Sequence, residues 1–360
     1  MERLKKNIKN SHILIIGSGI IGKFNALELS KQGFKITIAD PQKSKNGSSA
    51  ALGLLIGNMY QKSKGRSWEL RKKSNELWPK WIKFLQQYNN SLKIDKPLIQ
   101  LTTKQEIFEK LSKFISNHPS RGLRVLERDS SIIQNINKIL NMDNLRGIIS
   151  NQDGRIDPYT LLKTLNIYIK DKKVNFIKEE IVKIKKSNNQ WISTCSNKLE
   201  IASDVIVLCN SLDAIKLIDL NCHNIKLKPV LGQAMEISIN EKEINLLSLP
   251  KHFNINGTNF LRSNKNKMII GSTNEYGIKP KENTFEELTD FLENKPQWLN
   301  KNNITNKWFG IRSRPEGEPS PILKSLEKGL ILCTGFYKNG ILLAPACSNW
   351  ISDEIRNHLF

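Results

Sequence analysis

The sequence is short of several things. Its longest apolar runs fall well below the ~18 residues that a membrane-spanning helix needs, so no span is expected in the 360 residues. Five cysteines, Cys195, Cys209, Cys222, Cys333 and Cys347, are scattered without a C-x-x-C pair. That spacing argues against a disulfide framework or a thiolate zinc site and fits a reducing cytoplasm. The five histidines form no H-x-x-x-H or mixed Cys/His cluster, so no metal is expected. Internal repeats and low-complexity linkers are absent. Acidic residues are also scarce, 34 against 56 Lys and Arg, for a formal charge of +22. A basic chain can serve nucleic acid or an anionic surface. Here the lysines are spread through Lys-, Asn- and Ile-rich sequence rather than gathered into an arm. The aromatic interleaving of single-strand binders is missing. The charge therefore reads as compositional bias that also draws in anionic substrates, with nucleic acid only a secondary partner class.

What is present is concentrated in residues 13–40, ILIIGSGIIGKFNALELSKQGFKITIAD. The apolar run Ile13 to Ile16 fits a buried strand, and Gly17, Gly19 and Gly22 form a G-x-G-x-x-G turn. An amphipathic helix follows over 21–29, with Gly33 as its stop, then a second strand over 34–39 ending in Asp40. In such a unit the first glycine makes the tight turn, the second lets a diphosphate approach the backbone, and the third lets helix and strand pack closely. The helix N-terminus offers free N–H groups and partial positive charge, and the acid accepts from a ribose hydroxyl. A dinucleotide site is expected. The basic start followed by apolar residues superficially resembles a signal peptide, but its apolar part is the first strand of this unit.

At about 150 residues per domain, two domains are expected. Helical periodicity covers 66–88, with Pro79 expected to break or kink it, and recurs over 104–118, 158–170, 285–299 and 341–359. Short β-like runs fill 174–210, and antiparallel strands fill 225–275. The chain closes with a strand at 329–335, the loop FYKNG and a helix. The expected class is α/β. A Rossmann-like FAD-binding domain is assembled from the discontinuous segments 1–88, 152–222 and 305–360. An α+β substrate domain with a mixed, largely antiparallel sheet takes 89–151 and 223–304.

Two further segments bear on the cofactor. GSSAALGLL, from Gly47 to Leu55, supplies small residues and hydroxyls that let the backbone run close to a flat ligand. GFYKNGILLAP, from Gly335 to Pro345, enters a helix whose dipole can face the edge of a flavin where negative charge accumulates on reduction. With GRIDPYTLLKTL at 154–165, DVIVLCNS at 204–211, KPVLGQAMEI at 228–237, MIIGST at 268–273 and FGIRSRP at 309–315, the chain resembles the D-amino-acid oxidase superfamily of FAD-dependent oxidoreductases. The resemblance covers nearly the whole chain and is closest to its glycine oxidase branch, associated with thiamine biosynthesis.

The resemblance implies that Gly17, Ser18, Gly19, Ile21 and Gly22 hold the diphosphate and Asp40 the adenosine ribose. Ser48, Ser49, Gly53 and Leu54 would line the phosphates and flavin, and the Ile181 backbone would meet the adenine. Lys338, Asn339, Gly340, Ile341 and Leu342 would lie beside the flavin pyrimidine ring. Covalent relatives use a cysteine in a particular C-terminal context that Cys333 lacks, so the FAD is expected to be noncovalent.

Implied chemistry is hydride transfer from the Cα of a small amino acid, glycine, sarcosine or a D-amino acid, to flavin N5. The resulting imine hydrolyses to a keto acid, and oxygen or another acceptor takes the electrons. Arg312 matches the carboxylate-binding arginine, whose fork can hold both oxygens, and Arg314 is a second candidate. Where the branch has G-H-x-R-N-G, this chain has Phe336 for the histidine and Lys338 for the arginine. The substrate-facing tyrosine falls near Thr258 or Asn259, a strand-following glycine is Asn210, and a D-G-x-P segment is blurred over Gly317 to Ile322. Tyr276 and Tyr337 are candidate hydroxyls. The expectation is an intact cofactor site and an altered substrate pocket. Alternatives are a dehydrogenase with a non-oxygen acceptor, an FAD domain acting on N-carboxymethyl-modified tRNA, and a silent flavoprotein. Oligomeric state is left open, a homo-oligomer included.

Overall fold

The computed structural model describes residues 11–42, 47–218, 223–240 and 246–359. Cys222 and the basic first ten residues lie outside them. In chain order the elements run β1 (His12–Ile16), α1 (Ile20–Lys31), β2 (Lys35–Ala39), β3 (Leu54–Leu55), α2 (Arg66–Leu85), β4 (Ile94–Asp95), β5 (Leu98–Thr102), α3 (Gln105–Asn117), β6 (Leu123–Leu126), α4 (Ser131–Leu140), β7 (Arg146–Ser150), β8 (Gly154–Ile156), α5 (Pro158–Asp171) and β9 (Asn175–Ile177). Then follow β10 (Ile181–Ser187), β11 (Gln190–Cys195), β12 (Glu200–Ser203), β13 (Val205–Leu208), β14 (Leu227–Ser238), β15 (His252–Ile255), β16 (Thr258–Asn264), β17 (Lys267–Gly271), β18 (Glu275–Tyr276), α6 (Thr284–Thr289), β19 (Ile304–Pro315), β20 (Ile322–Glu327), β21 (Leu330–Thr334) and α7 (Gly340–Leu359).

Two large sheets organise these elements. One is ordered β20-β21-β13-β1-β2-β9. Its pairings are parallel from β9 through β21, and only β20 joins antiparallel. β1, β13 and β21 are buried almost throughout, as strands covered on both faces must be. The β1 chain leaves toward β2 on one side, while β13 pairs on the other, so a switch point forms at the carboxyl end of β1, where open α/β sheets bind ligands. A meander, β10-β11-β12, flanks this sheet. The other large sheet is ordered β18-β14-β17-β16-β15-β5-β7-β6, with β19 also paired to β14. It is antiparallel except where β15 meets β5.

The mixed α/β fold expected from the sequence is the fold observed. The helix over 66–85 runs straight through Pro79 instead of breaking. Trp78, Trp81 and Leu85 hold it in the core, and Phe24 of α1 meets the Trp78 ring edge-on at 5.4 Å. Packing outweighs the lost backbone donor. The helix expected over 285–299 ends at Thr289. Beyond it the chain turns, with Leu292 N–H donating to Thr289 O at 3.0 Å and Leu299 N–H to Pro296 O at 2.9 Å, and Pro296 disfavours helical backbone in the residue before it. Residues from 305, grouped by sequence with the nucleotide-binding segments, begin inside β19, which pairs with β14 from Ile304 to Pro315.

Candidate functional site

The glycine turn sits at the switch point. Gly17 has φ +103°, and a Cβ there would lie 2.8 Å from the Cys209 and Asn210 backbone, so the chain after β13 passes directly against it. A Cβ on Gly22 would overlap the Gly17 carbonyl. Gly19, the N-cap of α1, has no side chain to offer the helix. Ser48 supplies what is missing: its hydroxyl accepts from Ile20 N–H at 2.9 Å. Lys23 N–H is the first to find an intrahelical partner, Gly19 O at 3.0 Å, so the Ile21 and Gly22 N–H groups are helix-start donors of the kind that bind anions. Asp40, at the end of β2, accepts from Ser18 N–H and Gln42 N–H, each at 2.6 Å. Each carboxylate oxygen retains a lone pair for a further donor.

From this turn a cleft of about 1340 Å³ runs to the face of the second large sheet. Its walls include Gly17, Ser18, Gly19, Ile21 and Asp40 at one end. Ser48, Gly53 and Leu54 lie along it, and Ile181, the buried first residue of β10, closes a side. Gly53 has φ +82°, and a Cβ there would overlap the Ile156 carbonyl, which keeps the segment pressed against β8. Ser49 is exposed and outside the walls. Gly22 and Leu342 lie beneath the surface rather than on it.

Arg312 and Lys338 line the same cleft. Arg312 projects from β19 across β14. A Cβ on Gly232 would overlap its guanidinium, so that glycine makes the space Arg312 occupies. Arg312 donates to Ser272 Oγ at 2.7 Å, Thr273 O at 3.2 Å and Leu231 O at 3.4 Å. All are neutral acceptors, and it has no ion pair among the described residues. Burial pulls its proton affinity below the ordinary value, partly offset by Tyr337 and Glu275. Arg314 lies outside the cleft walls and donates to the Tyr276 hydroxyl at 3.0 Å, which occupies both of those candidates. Lys338 reaches solvent, yet the desolvating wall and then the charges of Arg312 and Arg314 lower its pKa. Tyr337 adopts φ +53°, and its N–H donates to Ser313 O at 3.0 Å, which ties the FYKNG turn to β19. Asn339, Gly340 and Ile341 then carry the start of α7 into the wall, and Trp78 Nε1 fixes that first turn by donating to Leu342 O at 3.0 Å.

Of the two residues near the displaced tyrosine position, Asn259 faces the cleft. It donates to Gly271 O at 2.8 Å and accepts from Asn254 at 2.9 Å. Thr258 is buried on the other face and donates to Leu288 O at 3.2 Å. Strand alternation decides between them once the register is known. Lys23, Gly232 and the segment 57–62, whose Tyr60 and Lys62 line the cleft, also belong to the site. Buried Asp153 holds that segment by accepting from Gly57, Asn58 and Met59 N–H at 2.8–2.9 Å. The only prior signal was the glycine after Leu231 in a strand otherwise built of larger residues.

Residues 12–354 match the family described as "FAD dependent oxidoreductase" (DAO). The chain belongs to that family. DAO relatives include the "Bifunctional protein ThiO/ThiG" of Trichormus variabilis, 25% identical over 360 residues that cover 95% of this chain and 52% of the relative. The protein of the same name from Synechocystis sp. is 25% identical over 96% of this chain and 51% of its own. The chain thus spans about half the length of the curated relatives it matches. Among solved DAO-like folds, glycine oxidase from Bacillus cereus superposes with a TM-score of 0.82 at 20% identity, covering 97% of this chain and 95% of its own. Iminodiacetate oxidase from Chelativorans sp. gives 0.81 at 17% identity, covering 96% and 95%. No group of His, Cys, Asp and Glu able to hold a metal ion occurs among the described residues, and none of their helices is long and apolar enough to cross a membrane.

Proposed function

We propose that this DAO-family protein is an amine oxidoreductase. It oxidises the Cα–N bond of a small amino acid (glycine, sarcosine or a D-amino acid) to an imine, which water hydrolyses to a keto acid, with oxygen as the acceptor. The observation that carries this reading is Arg312: a part-buried guanidinium in the cleft, held by neutral acceptors alone. It is fixed in place and has no ion pair among the described residues, and a substrate carboxylate supplies one through the arginine fork. Orientation of the substrate carbon by that anchor supports much of the rate.

The other end of the cleft fits a noncovalent FAD. Gly17 and Gly22 keep the turn packed tightly, Ser18 to Ile21 and Ser48 suit the diphosphate, Asp40 the ribose, and Ile181 the adenine. Lys338 and the start of α7 bring positive potential to the flavin end. FAD, when bound, accepts the hydride. Cys333 borders the cleft from β21 but is 1% exposed, and burial raises its thiol well above the ordinary range, which disfavours a covalent link. Cys195, Cys209, Cys333 and Cys347 are all free thiols, in keeping with a reducing cytoplasm. We assign the β1 sheet, with α1, α2, α5 and α7, to the cofactor domain and the β14 sheet to the substrate domain.

Anaerobic titration of the purified flavoprotein with glycine, sarcosine, D-alanine and D-proline tests the reading. Bleaching of the flavin bands by one of them supports it and names the substrate class. Failure of all four, with flavin bound, rejects a small amino acid and turns attention to larger amines, N-carboxymethylated tRNA among them.

A further inference from the structure

Lys23 is a lysine where none is expected. It sits one turn into α1, only 8% exposed, and lines the cleft beside Asp40. Its ammonium makes no hydrogen bond and no ion pair with any described residue. Asp40 is the opposing charge that acts on it, but no hydrogen bond or ion pair joins the two; the Asp40 oxygens accept the Ser18 and Gln42 N–H groups at 2.6 Å. Burial lowers the lysine's proton affinity, and Asp40 restores only part of it. The placement is unfavourable twice over. A lysine desolvated along most of its length, with its ammonium open to the cleft and no bonded partner, is disfavoured, and a cation near a helix N-terminus opposes the macrodipole. No acidic residue in the first turn of α1 relieves it.

An anion at the start of α1 would remove both penalties. In the ADP half of FAD, the adenine and ribose are neutral and only the diphosphate is charged. We infer that Lys23 is the chain's own countercharge for that diphosphate, acting beside the glycine turn and the Ser48 hydroxyl as a cofactor-binding residue. The inference rests on the cleft being the FAD site. A lysine kept unpaired until the cofactor arrives makes the apoprotein less stable than the sequence could otherwise make it, and it couples folding to cofactor capture.

The test uses apoprotein of wild type, Lys23→Met and Lys23→Arg. Binding of FAD and ADP is measured by calorimetry, adenosine is measured as a competitor against FAD, and each apoprotein is melted. The expected result for Lys23→Met is at least tenfold weaker binding of FAD and ADP, unchanged adenosine competition, and an apoprotein melting no lower than wild type. Lys23→Arg is expected to recover most of the ADP affinity. Unchanged ADP affinity in Lys23→Met would overturn the inference. So would equal losses for ADP and adenosine, or a lower apoprotein melting temperature, since each marks a purely structural lysine. Wild-type apoprotein that binds no FAD would instead overturn the cofactor reading of the cleft.

Discussion

Gly232→Ala isolates the role of Arg312 without touching the arginine. Position 232 lies mid-strand in β14, opposite Gly310 of β19, and its backbone is outside the left-handed region. Alanine is therefore conformationally acceptable, and in a strand it removes a glycine penalty of roughly 0.5–1 kcal/mol. The three atoms nearest the new methyl all belong to the Arg312 guanidinium, the far end of a flexible side chain that can move aside. Its move gives up the bonds to Ser272 Oγ, Thr273 O and Leu231 O that set its direction. A hydrogen bond to a charged group is worth about 1.5–3 kcal/mol. Loss of the aligned carboxylate contact should therefore weaken carboxylate binding ~10- to 150-fold. The assay is perturbation of the flavin spectrum by acetate, a carboxylate ligand that needs no turnover, followed by kcat/KM for the substrate found by anaerobic bleaching. Flavin content and melting temperature should stay near wild type. A variant that keeps its flavin and binds acetate as tightly as wild type would refute the placement of Arg312 as the carboxylate anchor.

Gly22→Ala should abolish flavin retention, because its Cβ meets the Gly17 backbone carbonyl, whereas Gly19→Ala should be milder, its nearest neighbour being the Ser48 hydroxyl at 3.1 Å; absorbance ratios of the purified variants report both. Asp153→Ala leaves the Gly57, Asn58 and Met59 N–H groups without their acceptor and should cost on the order of 3–5 kcal/mol in urea unfolding. His252 is 1% exposed, with Nε2 unpartnered, and burial first, then the Arg155 charge, lowers its pKa from 6.5 to about 4. Because the unfolded chain takes up this proton before the folded one does, stability is unaffected above pH 6.5 and falls as the pH drops from 6.5 toward 4, by about 3 kcal/mol in all. His252→Leu should flatten that part of the melting-temperature profile, and an unchanged profile would show that the imidazole is not kept neutral.

The glycine-turn end of the cleft was legible because its rules are local. GSGIIG, the strands around it and Asp40 lie within one strand-helix-strand unit, and glycine geometry dictates their places. GFYKNG could be read as a helix entry for the same reason. The Arg312 end is made of long-range pairings. Arg312 reaches the cleft only because β19 pairs with β14 across Gly232, and no local pattern in FGIRSRP shows that register. The choice between Thr258 and Asn259 likewise waited on which face of β16 met the cleft. Lys23 was hidden by its type: a lysine in a lysine-rich chain reads as solvent-facing until its burial is known. Pro79 and the stretch after Thr289 show the two limits of local rules. Aromatic packing overrode a proline in one, and in the other an apolar periodicity ran on past Thr289 without a helix.

The strand order of the β1 sheet has a consequence for synthesis. On one side β1 pairs with its near sequence neighbour β2, but its other side waits for β13, and β13 in turn waits for β21. Until residues 330–334 have left the ribosome, the growing protein carries a buried-type strand with an open edge, the kind that pairs with other chains. The wall contributed by Lys338 to Ile341 arrives later still. A polypeptide released early would therefore expose sticky backbone and lack one end of its cleft.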